Sequence, residues 1–120
     1  MKNLRNQVQL IGHLGADPEM KEFSSGSQKV NMSIATSETY KNKSGEKVTD
    51  TQWHFVVAWN GTAKYAHSYL TKGTEVMVQG KLVSRSYEDK AGITKYITEV
   101  VADQLLILHK KEVVEDSEAK

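Results

Sequence analysis

The side chains that most often carry catalysis are sparse in this sequence. The four histidines are His13, His54, His67 and His109, and no two of them have the spacing of a metal-binding HExxH motif. There is no P-loop, GxGxxG or GxSxG motif, and there is no cysteine to act as a nucleophile or a thiolate ligand. Carboxylates are scattered, with no pattern that pairs them. We therefore predict that the protein is not an enzyme and has no cofactor or metal site.

Aromatic side chains form a more informative pattern, because they are interleaved with basic residues. The aromatic residues are Tyr40, Trp53, Phe55, Trp59 and Tyr87, and the basic residues near them are Lys41, Lys43, Lys47, Arg85 and Lys90. Every base has a flat face, so stacking on these rings gives affinity without selecting sequence. Lysine and arginine beside the rings neutralise phosphates and make binding depend on salt. For any single lysine, a solvated surface is the more common explanation.

The longest aromatic stretch is apolar on both faces. Parity places Trp53, Phe55, Val57 and Trp59 on one face of a strand, and His54, Val56 and Ala58 on the other. Aromatic residues on a strand usually belong to the core, but a strand that is apolar on both faces is buried in an oligomer or used for binding. The pattern alone leaves the core and the binding surface equally supported for Trp53 and Trp59.

Alternation with a period of two is the main signal for the elements that position these residues. Val30, Met32 and Ile34 are predicted to face inward, as are Val76, Val78 and Leu82. The predicted strands cover residues 7–14, 29–36, 48–59, 75–87 and 93–108, with hairpin turns over residues 41–47 and 89–92 and an interruption near residues 103–104.

One short helix is predicted over residues 62–70, with Thr62 as its N-cap and Gly73 at its end. The chain is therefore predicted to be all-β: a five-stranded Greek-key barrel with one short helix between strands 3 and 4, which is the oligonucleotide/oligosaccharide-binding (OB) fold. Small barrels of other connectivity fit the pattern nearly as well.

The chain has 120 residues, enough for one domain and too few for two. The net charge is +1, but Glu112, Glu115, Asp116 and Glu118 fall close together, so the rest of the chain is clearly positive. We predict a folded domain over residues 1–109 and a short acidic, disordered tail over residues 110–120. Residues 1–6 lead into no apolar segment, so no signal peptide and a cytoplasmic location are expected.

Several motifs occur in an order, and with gaps, that match a known family. They are VQLIGHLGADPE at residues 8–19, NMSIATSE at 31–38, TQWHFVV at 51–57, YLTKG at 69–73, GKL at 80–82 with RSY at 85–87, and YITEVV at 96–101. Over about residues 4–108 the chain resembles the bacterial single-stranded-DNA-binding proteins (SSB).

The resemblance implies an OB-fold homotetramer that binds and protects single-stranded DNA in replication, recombination and repair, near the bacterial nucleoid. It places base stacking on Tyr40, Trp53, Trp59 and Tyr87, and a subunit-interface role on His54, and it makes Gly15 a structural glycine. It places phosphate contacts on Arg5, Lys41, Lys43, Lys72 and Arg85, and also on Lys47 and Lys90.

Two features depart from the family. Phe55 stands where relatives often have a basic residue, so a phosphate contact is lost or a stacking surface is gained. The family recruits partner proteins through a Gly/Pro/Gln-rich linker and an acidic tip that ends in hydrophobic residues. Residues 113–120 are acidic but show neither the linker nor the hydrophobic end. A protein-interaction OB module, such as a primosome-like accessory subunit, and an RNA- or oligosaccharide-binding domain are the alternatives.

Overall fold

The computed structural model describes residues 4–109. Tail residues 110–120, predicted to be disordered, lie outside the described part, as do residues 1–3. The described elements are β1 (Val8–Leu14), β2 (Glu19–Glu22), β3 (Gln28–Lys41), β4 (Lys47–Trp59), α1 (Asn60–Tyr69), β5 (Glu75–Glu88) and β6 (Thr94–His109).

The strands form one sheet in the order β1-β5-β6-β4-β3-β2, and an additional pairing of β1 with β3 closes it. The closed barrel therefore contains β1, β3, β4, β5 and β6, with α1 between its third and fourth strands, as predicted. Only β4 and β6 pair in parallel, and every other pairing is antiparallel. Strand β2 was not predicted, and it pairs with β3 outside the barrel.

The core lies inside the barrel and is built from the alternating apolar residues of its strands. Val30 and Ile34 of β3 and Val76 and Val78 of β5 are completely buried, as their parity predicts. The helix adds small residues to the same cluster, including Ala66.

Strand β5 continues past the barrel, and this extension makes one inward prediction wrong. Between Gln79 and Gly80 the register with β6 shifts by one residue, which leaves Asp103 as the extra residue opposite them. The predicted interruption near residue 103 is thus confirmed as a bulge. Leu82 lies beyond the bulge and is 48% exposed, although it was predicted to face inward.

The helix begins and ends differently from the prediction. Trp59 is its N-cap, no side chain caps it, and Thr62 lies inside its first turn. The helix ends at Tyr69, with Leu70 as its C-cap, so Gly73 does not end it. Gly73 instead has φ +90° in the following turn and donates its N–H to the Leu14 carbonyl at 2.8 Å, which ties this turn to β1. Between residues 4 and 109, no helix is long and apolar enough to cross a membrane.

Candidate nucleic-acid interface

The outer face of β4 carries a row of exposed aromatic rings. Trp53, Phe55 and Trp59 are 63%, 58% and 40% exposed, whereas Val56 and Ala58 on the opposite face are completely buried. The valine–alanine face therefore supplies the core, and the three rings of the opposite face are left for solvent or a ligand, while Val57 between Phe55 and Trp59 on that face is buried. This resolves the question that parity left open.

The strand next to this row leaves the rings accessible. In the β3–β4 pairing, Ala35 lies opposite Trp53 and Ser33 lies opposite Phe55. Residues directly opposite each other in a sheet place their side chains on the same face. Because both partners are small, neither covers the neighbouring ring.

Gly15 lies directly under Trp53. A Cβ built on Gly15 would lie 2.5 Å from the Cζ3 atom and 2.8 Å from the Cη2 atom of the indole. The absence of a side chain at this position lets the indole lie down over the backbone after β1. This contact explains in physical terms why a glycine is needed in the opening motif.

A groove on one side of Phe55 brings a predicted phosphate-binding residue next to the aromatic row. Phe55, Lys29 and Arg85 are among the residues that line it, with Glu99. The Arg85 Nε donates to Glu99 Oε1 at 3.0 Å, and the Glu99 side chain is 9% exposed. The carboxylate holds the guanidinium at the edge of the groove, and the remaining donors of the guanidinium are not used by this bond.

The groove on the other side of Phe55 has the opposite charge. It is lined in part by Asp17 and Glu19, with Ser33. Asp17 Oδ1 also accepts the backbone N–H of Lys72 at 2.7 Å, so this predicted phosphate-binding lysine lies beside the same groove. The charges on the two sides favour a phosphate path along the Arg85 side.

The remaining predicted residues on β5 and its turn extend away from the barrel. Tyr87 is exposed and follows Arg85 by two positions, so both side chains leave the same face of β5. Lys90 is exposed in the β5–β6 turn, next to Asp89, whose carboxylate pairs with Lys95 at 3.7 Å.

The β3–β4 hairpin extends from the barrel in the same way and separates two predicted groups. Lys41 lies opposite Lys47, on the face that carries Trp53, and Lys43 is in the turn. Tyr40 lies opposite Val48, which places it on the other face of the hairpin. Tyr40 is exposed, but the β4 row and Tyr40 do not share one face of the sheet.

Two further predicted residues lie away from the row. His54 is half-buried on the inward face of β4, and its Nε2 is 3.0 Å from the Thr36 hydroxyl of the same chain. Arg5 is exposed just before β1, next to Asn6, whose side-chain amide makes two 3.0 Å hydrogen bonds with the backbone of Leu82. These bonds place Arg5 beside the outer part of β5.

Three residues at the end of the row were not predicted from the sequence. The ring of Phe23 stacks on that of Trp59, with centroids 5.9 Å apart and planes inclined by 25°. The ammonium groups of Lys21 and Lys29 lie over the rings of Phe23 and Trp59, at 5.4 and 5.5 Å. Only the β2–β3 pairing brings Phe23 to Trp59, and β2 gave no alternation signal.

A second exposed surface lies on the outside of β1, β5 and β6. Ile11 lies opposite Met77, and Met77 lies opposite Leu106, which forms an apolar row across three strands. Gln79 and Gln104 lie opposite each other in the adjoining row. Ile11 and Leu106 are exposed in the single chain, so this face is available to a second copy.

Within residues 4–109, no group of three or more histidine, cysteine, aspartate or glutamate side chains could hold a metal ion.

A sequence model of the single-strand binding protein family matches residues 5–108. The chain belongs to this family.

Two relatives in the single-strand binding protein family have similar sequences over 108 residues. Single-stranded DNA-binding protein 1 of Chlorobaculum tepidum is 45% identical, over 89% of this chain and 67% of that protein. Single-stranded DNA-binding protein 1 of Xylella fastidiosa is 42% identical, over 89% of this chain and 79% of that protein.

Solved structures of family members share the barrel. A Plasmodium falciparum SSB complex with ssDNA superposes with a TM-score of 0.79 at 31% identity, covering 90% of this chain and 97% of that one. A deletion mutant of the single-stranded DNA binding protein from Thermus aquaticus gives a TM-score of 0.75 at 28% identity, covering 87% and 50%. The predicted OB-fold is therefore confirmed.

Proposed function

We propose that this protein binds single-stranded DNA without sequence preference and protects it during replication, recombination and repair. The observation that carries the proposal is the exposed row of Trp53, Phe55 and Trp59 on the outer face of β4. An exposed aromatic row is costly to leave in water, and it matches the flat faces of unpaired bases. The proposed activity is binding alone, with no chemical step.

The proposed contacts fall into two groups with different roles. Base stacking is assigned to Tyr40, Trp53, Trp59 and Tyr87, with Phe55 as an additional stacking surface. Phosphate contacts are assigned to Arg5, Lys41, Lys43, Lys47, Lys72, Arg85 and Lys90. Stacking gives affinity for DNA of any sequence, and the basic groups make that affinity depend on salt.

Arg85 is the phosphate contact that the geometry supports best. It lies in one groove with Phe55 and Lys29, and its Nε is fixed by the carboxylate of Glu99. A guanidinium whose position is fixed loses less rotamer freedom when it binds a phosphate. The same carboxylate offsets part of the positive charge, so Arg85 acts through directed hydrogen bonds more than through bulk charge.

A homotetramer is proposed as the working assembly. Its support is the apolar row of Ile11, Met77 and Leu106 on the outside of the barrel, which a second copy would cover. His54 stays a proposed interface residue, and its hydrogen bond to Thr36 would fix the orientation of the imidazole.

Titration with oligo-dT tests the proposal directly. Stacking should quench the fluorescence of Trp53 and Trp59, and added salt should weaken the binding steeply. Absence of quenching and of binding at low salt would refute single-stranded DNA as the ligand.

The same titration separates the other two functions. A protein-interaction module would bind oligo-dT weakly and form a stable complex with a different protein. An RNA- or oligosaccharide-binding domain would prefer an RNA or a glycan in a competition against oligo-dT of equal length. Preference for oligo-dT over both competitors supports the proposed function.

A further inference from the structure

We propose that Phe23 is a further base-binding residue, which forms a two-ring stacking site with Trp59 and extends the DNA path onto the β2–β3 hairpin. Lys21 and Lys29 are proposed to contact the phosphates at this site. The inference rests on the proposed function, since it names an additional part of the same binding surface.

The ring pair has the geometry of a stacking platform. The Phe23 and Trp59 centroids are 5.9 Å apart, and the planes are inclined by 25°, which is a stacked rather than an edge-to-face arrangement. Both rings remain exposed despite this contact. Stacking covers one face of each ring, so a base would stack on an outer face of the pair, which the contact holds in place.

The strand register places two lysines in one row with Trp59. Lys29 lies opposite Trp59 in the β3–β4 pairing, and Lys21 lies opposite Lys29 in the β2–β3 pairing. Like charges directly opposite each other destabilise a sheet. Among residues 4–109, neither lysine forms an ion pair. A bound phosphate would neutralise this repulsion.

The lysine–ring contacts do not prevent a base from stacking. The ammonium groups lie 5.4 and 5.5 Å from the two ring centroids. An exposed cation–π contact is weaker than the stacking of a base on an aromatic ring. Because the lysine side chain is flexible, its ammonium can move from the ring to a phosphate when a base stacks on the ring.

The hairpin that carries Phe23 is held in place on both sides. The Phe23 N–H donates to the Ser27 carbonyl at 2.9 Å, and the Gly26 N–H donates to the Phe23 carbonyl at 2.8 Å. The backbone N–H of Gln28 donates to Asn60 Oδ1 at 3.1 Å, next to Trp59. Phe23 is thus fixed relative to the end of β4, as a preorganised binding site requires.

The site continues the proposed binding surface. Trp53, Phe55 and Trp59 lie along the outer face of β4, with the buried Val57 between Phe55 and Trp59, and Phe23 contacts the last of the three rings. A strand of DNA that follows the row reaches Phe23 without leaving the sheet.

Photo-crosslinking with iodouracil-substituted oligo-dT locates the contact. Trypsin cuts after Lys21 and Lys29, and Phe23 is the only aromatic residue in the peptide of residues 22–29. The three aromatic residues of the β4 row fall together in a different peptide, residues 48–64. We expect crosslinks on both peptides.

Three variants test whether the ring of Phe23 binds a base or only packs on Trp59. Phe23→Ala should weaken oligo-dT binding by about 5- to 150-fold, the range of one lost stacking contact. Phe23→Leu keeps apolar packing on Trp59 but has no ring, so it should lose binding with an unchanged melting temperature. Phe23→Tyr keeps the ring and should bind as the unmodified protein does.

The outcomes distinguish this inference from the function on which it rests. Crosslinks on residues 48–64 without any on residues 22–29 would overturn the Phe23 site and leave single-stranded DNA binding intact. Unchanged affinity in Phe23→Leu would do the same. Failure of the unmodified protein to bind oligo-dT, with no crosslinked peptide at all, would overturn the proposed function itself.

Discussion

At the scale of single residues, the groups under and beside each ring matter as much as the ring. Trp53 lies over Gly15, Trp59 is stacked with Phe23, and Phe55 separates a basic groove from an acidic one. Each ring therefore has a different environment, and substitutions near a ring should change binding as directly as removal of the ring does.

The contact between Gly15 and Trp53 can be tested by a double-mutant cycle. Trp53→Ala should weaken binding to oligo-dT, oligo-dC and oligo-dA about equally, by roughly 1–3 kcal/mol, the range known for single-strand-binding OB-folds. Gly15→Ala should weaken binding as well, because its Cβ would displace the indole, which is exposed and free to move. Fluorescence anisotropy measures each affinity.

The decisive quantity in this cycle is the coupling free energy between the two substitutions. If Gly15 acts only through Trp53, the double variant should bind no more weakly than Trp53→Ala alone. Additive losses would mean that Gly15 affects binding by another route. A loss confined to one DNA sequence would contradict stacking as the source of the affinity.

At the scale of elements, two hairpins extend beyond the barrel and carry much of the basic charge. The β3–β4 hairpin places Lys41, Lys43 and Lys47 at its end, and the β5–β6 hairpin places Lys90 and Tyr87 near its turn. Positions at the ends of long hairpins can follow a flexible strand of DNA while the barrel stays fixed.

Removing the charge at the end of the β3–β4 hairpin should change the salt dependence more than the stacking. With Lys41, Lys43 and Lys47 all replaced by alanine, the slope of log affinity against log salt should decrease by about 2, since each phosphate contact contributes about 0.7 on a single strand. Replacement of the same three lysines by arginine keeps the charge and should leave the slope unchanged. Titrations at several salt concentrations measure both. An unchanged slope in the alanine variant would exclude these lysines from phosphate contact.

The bulge at Gly80 should be intolerant of any side chain. A Cβ at this position would collide with the backbone carbonyl of Val101, which cannot move aside as a flexible side chain can. Gly80→Ala should therefore lower the free energy of unfolding by about 1–3 kcal/mol, the usual cost of overpacking. Gly61→Ala is the matched control, since its Cβ would meet open space in the first turn of α1 and should not lower the free energy of unfolding. Urea unfolding measures the free energy of unfolding of both variants. If Gly80→Ala lowered it no more than Gly61→Ala, the backbone at the bulge would have moved to accommodate the Cβ.

The alternation of apolar residues predicted the barrel strands well but could not predict where they leave the barrel. Val76, Val78 and Leu82 have the same parity, and only the bulge at Gly80 separates the buried valines from the exposed leucine. Strand β2 has the sequence Glu-Met-Lys-Glu, and it becomes a strand only because β3 offers an edge to pair with. Register and pairing are properties of the folded chain, so a single sequence does not reveal them.

The binding site could be predicted only in part from the sequence, for the same reason. Parity grouped Trp53, Phe55 and Trp59, and the resemblance to a family suggested that the two tryptophans bind DNA, but neither could find the contact between Phe23 and Trp59. That contact joins residues that are distant along the chain and depends on the β2–β3 pairing. Likewise, the partner of Arg85 could not be predicted, because Glu99 reaches it across the β5–β6 pairing.

At the scale of the whole molecule, the proposed tetramer depends on the exposed apolar face of β1, β5 and β6. Ile11 and Leu106 are exposed on the outside of the barrel, with Met77 between them. A stable interface usually buries about 800 Å² on each partner, with an apolar centre and a polar rim. Gln79 and Gln104 in the adjoining row would supply hydrogen bonds beside such a centre.

A charge placed at the centre of this face should separate the subunits. Leu106→Glu should shift the protein from the proposed tetramer to smaller species, because a buried unpaired carboxylate costs several kcal/mol. Ile93→Glu changes an equally exposed residue in the β5–β6 turn, away from this face, and should leave the assembly intact. Light scattering at micromolar concentration reports both masses. A monomer in the unmodified protein would refute the tetramer.

Strand β4 uses its two sides for different purposes, with Val56 and Ala58 in the interior and Phe55 and Trp59 outside. The exposed rings on the outer side can therefore change without disturbing the packing that holds the chain together, whereas Val57 on the same side is buried. Most proteins sit only slightly above the stability that they need, and new activities are often lost because the mutations that create them unfold the protein. In this protein, the ligand preference can therefore change during evolution, or be redesigned in the laboratory, with little loss of folding stability.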